Sequence, residues 1–173
     1  MTSPHHMLIL GGARSGKSAR GLTLAAAYRD KIFIATAEAH DEEMAQRIAR
    51  HQAERGLDWD LLECPLDLTD ALAGLDHPGR VIVVDCVTLW LSNLMFKDHD
   101  VEAEMARLCQ SLPHRQSAII FISNEVGLGL VPETPLGRTF RDHQGRANQA
   151  LAGACDHVEF IAAGLPLVLK TKA

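Results

Sequence analysis

Gly11, Gly12, Ala13, Arg14, Ser15, Gly16, Lys17 and Ser18 read "GGARSGKS", a fit to GxxxxGK[ST]. In that spacing the glycines let backbone N–H groups turn inward around a phosphate. The lysine brings a positive charge to the β- and γ-phosphates, and the serine hydroxyl can ligate Mg²⁺. An apolar run, "MLIL" at 7–10, precedes the loop, and a helical pattern follows it. This is the context a phosphate-binding P-loop requires. Such a loop works with an acid at the end of another buried strand, and Asp85, closing "VIVVD", suits Mg²⁺ or its water. The same position also suits the N-cap of the following helix. "ATA", Ala35, Thr36 and Ala37, closes a second apolar run with small residues that allow a nucleotide to approach.

A second stretch, "RIARHQAER" at 47–55, places Arg47, His51 and Arg55 four residues apart. On a helix these lie on one face, with Cβ atoms roughly 5–6 Å apart. Two flanking cations push an imidazole toward its neutral form, and a neutral imidazole is a nucleophile. Beside a bound nucleotide it has a phosphorus to attack, with the arginines stabilising the departing charge. The alternative is a solvated face with Glu43 beneath Arg47 and with Met44 and Ile48 packing inward.

The elements needed to position these groups are legible in outline. Apolar runs at 7–10, 31–36, 59–64, 80–86 and 117–123 predict strands, and "HVEFIAAG" and "LPLVLK" predict two more joined at Gly164. Helices are expected at 17–28, 41–55, 67–74, 88–96, 101–112 and 138–154. The alternation predicts an α/β fold, and the glycine loop within it makes a P-loop NTPase, RecA-like type the expectation. Its mostly parallel sheet is flanked by helices and closed by an antiparallel C-terminal hairpin. With 173 residues, a single domain over 7–173 is expected, after a flexible lead-in at 1–6.

Composition narrows the function classes. The net charge of -5 argues against nucleic acid or an anionic membrane surface as the main partner. No stretch reaches the roughly 20 apolar residues of a membrane span, so no membrane insertion is expected. The start has no basic n-region or apolar h-region of a secretory signal. The four cysteines form no CxxC pair, which argues against a zinc site and for a reducing, cytoplasmic setting.

The two motifs together resemble one family closely. Strand–"GGARSGKS", then "IATA", then "DEEMAQRIARHQAERGLDWDLLE" is similar to the bifunctional adenosylcobinamide kinase / adenosylcobinamide-phosphate guanylyltransferase of cobalamin biosynthesis. The family pattern is met at Arg47, Ile48, His51, Arg55, Trp59 and Glu63. A later stretch, 123–152, matches a second signature at Asn124, Glu125, Val126, Gly127, Pro132, Arg138, Phe140, Arg141, Asp142, Gly145, Asn148 and Gln149. The chain departs from the family after the P-loop, where Gly21 and Leu22 stand in place of Ala–Glu.

The resemblance implies two reactions. A nucleoside triphosphate, GTP and/or ATP with Mg²⁺, phosphorylates the aminopropanol hydroxyl of adenosylcobinamide. GTP then guanylylates a histidine, by position His51, and GMP passes to adenosylcobinamide phosphate. Lys17 and His51 are the implied catalytic residues. Gly11–Ser18, Ala35–Ala37, Gln52, Ala53, Glu54, Arg55, Glu63 and Asp85 are implied around the nucleotide, with Ser18 and Asp85 on the metal. Glu63, acceptor-only when ionised, suits the N1–H and N2–H₂ of guanine. A homotrimer is implied as well, with the corrinoid site between subunits.

The second signature lies where α/β sheets grip substrates. Glu125 suits a base or metal-linked acid. Arg138 and Arg141 suit phosphate or a corrin amide, with Asp142 bracing Arg138. Two other readings stay open: a small-molecule kinase with His51 a bystander, and a nucleotide-dependent binding module.

Overall fold

The computed structural model describes residues 6–38 and 58–172. The helix expected at 41–55, with Arg47, His51, Gln52, Ala53, Glu54 and Arg55, lies outside the described residues.

Seven strands, β1 (His6–Gly11), β2 (Asp30–Ala35), β3 (Asp60–Glu63), β4 (Arg80–Asp85), β5 (Ala118–Asn124), β6 (His157–Ala162) and β7 (Leu165–Thr171), form one sheet in the order β3-β2-β4-β5-β1-β6-β7. All neighbouring pairs are parallel except β6–β7, the antiparallel hairpin expected at the C-terminal end. The helices are α1 (Lys17–Ala25), α2 (Leu68–Gly74), α3 (Val87–Phe96), α4 (Val101–Ser111) and α5 (Pro135–Ala154).

The central strands are continuously apolar because both faces are covered. Successive side chains alternate between two cores. Leu8, Ile82, Val84 and Phe121 meet Trp90, Leu94, Leu108 and Leu151 of α3, α4 and α5. Ile9, Val83 and Ile120 face the other way with Ala25 of α1. Trp90 is fully buried, and its indole N–H donates to the Leu66 carbonyl at 2.7 Å, so its polar edge is satisfied.

Two boundaries and one contact differ from expectation. His6, expected in the lead-in, is the first residue of β1 and is 5% exposed, with its Nε2 2.9 Å from the Leu112 carbonyl oxygen. The helix expected from 138 starts at Pro135, because Thr134 caps it by accepting from the Gly137 N–H and proline suits the first turn. Arg138 is not braced by Asp142. Its guanidinium donates to the carbonyls of Pro132 and Glu133 and closes the loop onto its own helix, while Asp142 lies beside Arg141.

At the end of the sheet remote from the glycine loop, the Asp156 N–H donates to the His6 carbonyl and the Lys172 N–H to the Asp156 carbonyl. Among the described residues, no helix is long and apolar enough to cross a membrane.

Candidate active site

β1 ends at Gly11, and the chain turns through Gly12–Gly16 into α1. Gly16 has φ +104, and a Cβ there would lie 3.3 Å from the Gly164 α-carbon, so a side chain is disfavoured by both backbone and space. Arg14, at the exposed crown, holds φ +56. The β6–β7 turn buttresses the loop, as the Gly164 N–H donates to the Ser15 carbonyl at 2.9 Å.

Lys17 opens α1, where the unpaired N–H groups of a helix start favour anions. Its ammonium is 8% exposed as a residue and donates to the Gly12 carbonyl at 2.6 Å. Burial lowers its pKa, opposed by the nearby Cys86 and Asp85. The Ser18 hydroxyl donates to Asp85 Oδ2 at 2.6 Å. The two residues proposed for a metal therefore touch, although 67 residues separate them and β5 stands between their strands.

The parallel register aligns the other strand ends. Glu63 pairs with Ala35, and Ala35 with Asp85, forming a row across the carboxyl edge of β3, β2 and β4. Glu63 is exposed, Ala35 is buried and Ala37 is half-buried. Thr36 points inward: its Oγ1 donates to the Cys86 carbonyl at 2.7 Å and accepts from the Cys86 N–H at 2.9 Å. Asn93 Nδ2 ties the Thr36 carbonyl to that of Pro65. The Thr36 side chain thus fastens β2 to β4.

Two further groupings lie outside the residues expected around the nucleotide. Arg20 of α1 makes a two-pronged pair with the buried Glu159 of β6, both contacts 2.8 Å, and His157 Nε2 lies 3.0 Å from Glu159 Oε1. At the end of β5, Gln144 Nε2 donates to Ser123 Oγ and Asn148 Oδ1, and Ser123 Oγ donates to the same Asn148 oxygen. Asn148 Nδ2 reaches the Asn124 carbonyl, and the Asn124 N–H donates to Thr88 Oγ1. The spacing of Gln144 and Asn148, one helical turn apart, is the trace such a network leaves in sequence.

A strand, a glycine loop, a helix and a partner acid on a separate parallel strand define the class: an α/β nucleotide-binding protein of the P-loop type. Solved structures with this fold include the P4 protein from bacteriophage φ6 in complex with ADP (TM-score 0.51, 12% identity, 94% of this chain and 52% of that one). A type III secretion system ATPase has TM-score 0.52 at 10% identity, over 95% of this chain and 56% of that one. This chain spans about half the length of either.

Within that class, the chain belongs to the cobinamide kinase / cobinamide phosphate guanyltransferase family, whose model matches residues 7–169. It is 46% identical over 166 residues to the bifunctional adenosylcobalamin biosynthesis protein CobP of Pseudomonas aeruginosa, covering 94% of this chain and 96% of that protein. It is 34% identical over 179 residues to the bifunctional adenosylcobalamin biosynthesis protein CobU of Escherichia coli, covering 95% and 99%. The Salmonella typhimurium CobU is 35% identical over 182 residues, again covering 95% and 99%.

Proposed function

We propose that this chain carries out both reactions of its family on a corrinoid. It moves the γ-phosphate of GTP or ATP to the hydroxyl of adenosylcobinamide, then GMP from GTP to adenosylcobinamide phosphate, giving adenosylcobinamide-GDP. One arrangement carries this reading: the glycine loop, the Ser18–Asp85 pair and the Asp85–Ala35–Glu63 row open onto one edge of the sheet.

In this reading the loop N–H groups, Lys17 and the start of α1 hold the phosphates. The buried Ser15 hydroxyl has no hydrogen-bond partner among the described residues and suits the same role. Ser18 and Asp85 offer hard oxygen donors, a fit to Mg²⁺, which binds through one or two protein oxygens plus phosphates. When bound, Mg²⁺ neutralises charge on the phosphate oxygens. Ala35 and Ala37 leave room for the nucleotide, and Glu63 accepts from the guanine edge, with Gln52–Arg55 completing the site. His51, kept neutral by Arg47 and Arg55, attacks the α-phosphorus of GTP and pyrophosphate leaves. A phosphate oxygen of the corrinoid then attacks the same phosphorus and frees the histidine.

A homotrimer supplies the enclosure that a large corrinoid requires. The end strand β7, with Leu165, Leu167, Val168 and Leu169 all more than half exposed, supports assembly with further copies. A cytoplasmic setting accords with the free cysteines Cys64, Cys86, Cys109 and Cys155.

The test is incubation with GTP labelled at the α-phosphate. Acid-labile, base-stable label on the protein, lost in His51→Ala, is expected. An unmodified wild-type protein rejects the guanylyl-transfer reading, leaving a kinase if corrinoid is still phosphorylated and a nucleotide-binding module if it is not.

A further inference from the structure

Glu125, which the sequence offers as either a base or a metal-linked acid, stands at the mouth of the glycine loop. It is the first residue beyond β5, and its N–H donates to the Gly11 carbonyl at 3.0 Å. This extends the β1–β5 ladder one step past the Gly11–Asn124 pair. The Glu125 backbone therefore runs about 5 Å from the start of the loop, the spacing of adjacent strands. Its carboxylate is fixed by the chain itself, as Oε1 accepts from the Gly127 N–H at 2.6 Å. A Cβ on residue 127 would lie 2.9 Å from that oxygen, so glycine there leaves the carboxylate its place.

Among the described residues, two other acids near the loop are engaged. Asp85 accepts from Ser18, and Glu159 is held by Arg20. Glu125 is half-buried and has no ion-pair partner among the described residues.

Its backbone is held with unusual care. The buried amides of Gln144 and Asn148 and the hydroxyls of Ser123 and Thr88 converge on residues 123–124. An apolar packing would bury these positions more cheaply, so a polar network there fixes geometry more than it adds stability.

We infer that Glu125 is the catalytic base of the phosphoryl-transfer step, an assignment that rests on the kinase reading above. As the substrate hydroxyl oxygen bonds to the γ-phosphorus, the bond from that phosphorus to the β,γ-bridging oxygen breaks. Its electrons go to the leaving nucleoside diphosphate. The hydroxyl proton passes to Oε2 of Glu125, the oxygen that does not hold Gly127, and then to water. Gln144 and Asn148 are positioning residues for this step.

Glu125→Gln is expected to lower kcat for cobinamide phosphorylation about 10²–10³-fold, the usual contribution of a positioned base. The Kd of a non-hydrolysable GTP analogue should move less than about threefold. Formate should restore part of the rate in Glu125→Ala, which a purely structural role would not allow. Gly127→Ala, which crowds Oε1, should lower kcat in the same direction with the analogue still bound. The assignment is overturned if Glu125→Gln keeps kcat within about threefold of wild type, if it loses analogue binding in proportion to rate, or if formate has no effect. A wild-type protein that binds the analogue but phosphorylates no cobinamide overturns the kinase reading itself, and this assignment with it.

Discussion

Arg20→Met tests how far the phosphate loop depends on a charge it does not touch. The substitution keeps the aliphatic stem and removes the guanidinium that makes both contacts to Glu159. The Glu159 side chain is only 3% exposed, so it is left as a buried carboxylate with His157 as its remaining neighbour. Removing one partner of a fully buried pair costs roughly 3–5 kcal/mol. The Arg20 side chain is 31% exposed, so part of the pair is already screened, and about 2–3 kcal/mol is the reasoned figure. For a chain of this size that lowers Tm by roughly 5–10 °C.

The pH dependence carries a sign. In the wild type, hydrogen bonding from Arg20 holds Glu159 below its ordinary value of 4.5, with burial opposing. That stability is present above the unfolded-state pKa and is lost as pH falls through the folded one. In the variant, burial acts without the cation and raises the carboxyl pKa, so the penalty is present at neutral pH and relieved by protonation. The gap between wild type and variant should therefore narrow from about pH 7 to about pH 5. Urea unfolding across that range reads it directly, and Arg20→Met/Glu159→Leu should recover most of the loss. A gap that stays constant with pH, or a double variant no better than Arg20→Met, refutes the reasoning.

Asp85→Asn keeps shape but removes the charge that faces Ser18 and Lys17. Turnover is expected to fall about a hundredfold and the Mg²⁺ concentration for half-maximal rate to rise, read by a magnesium titration at fixed GTP. Unchanged Mg²⁺ dependence would remove Asp85 from the metal. Burial pushes the thiols of Cys86 and Cys155 up to about 12. At pH 8 only about one in 10⁴ of either is thiolate, so iodoacetamide should leave both unmodified in the native protein and label them once urea unfolds it, read by peptide mass. Labelling of the native protein at the free-cysteine rate contradicts their burial.

The parts of this protein written within a few consecutive residues were legible. The glycine loop, its flanking strand and helix, the buried strand ending at Asp85 and the C-terminal hairpin all follow from local pattern and period. What depends on which strands become neighbours was not. Nothing in the sequence orders β3, β2 and β4 side by side, yet that order sets Glu63, Ala35 and Asp85 in one row. Arg20 and Glu159 are 139 positions apart and each reads as an ordinary surface charge. Thr36 reads as a small residue near a ligand, and its hydroxyl instead joins two strands. The early start of α5 is written locally, since Thr134–Pro135 is a cap followed by a first-turn proline. Arg138 offered a helical partner at the right spacing, but two loop carbonyls lay within reach of the same guanidinium.

The backbone link from Lys172 through Asp156 to His6 has a practical corollary. Residues 6 and 172 lie close together, on the side that faces away from Lys17 and Asp85. A bead or dye joined at Lys172, whose side chain is 75% exposed, would stand behind the molecule. The edge where nucleotide and corrinoid are proposed to enter would stay open, so single-molecule or immobilised assays can tether the chain there without blocking turnover.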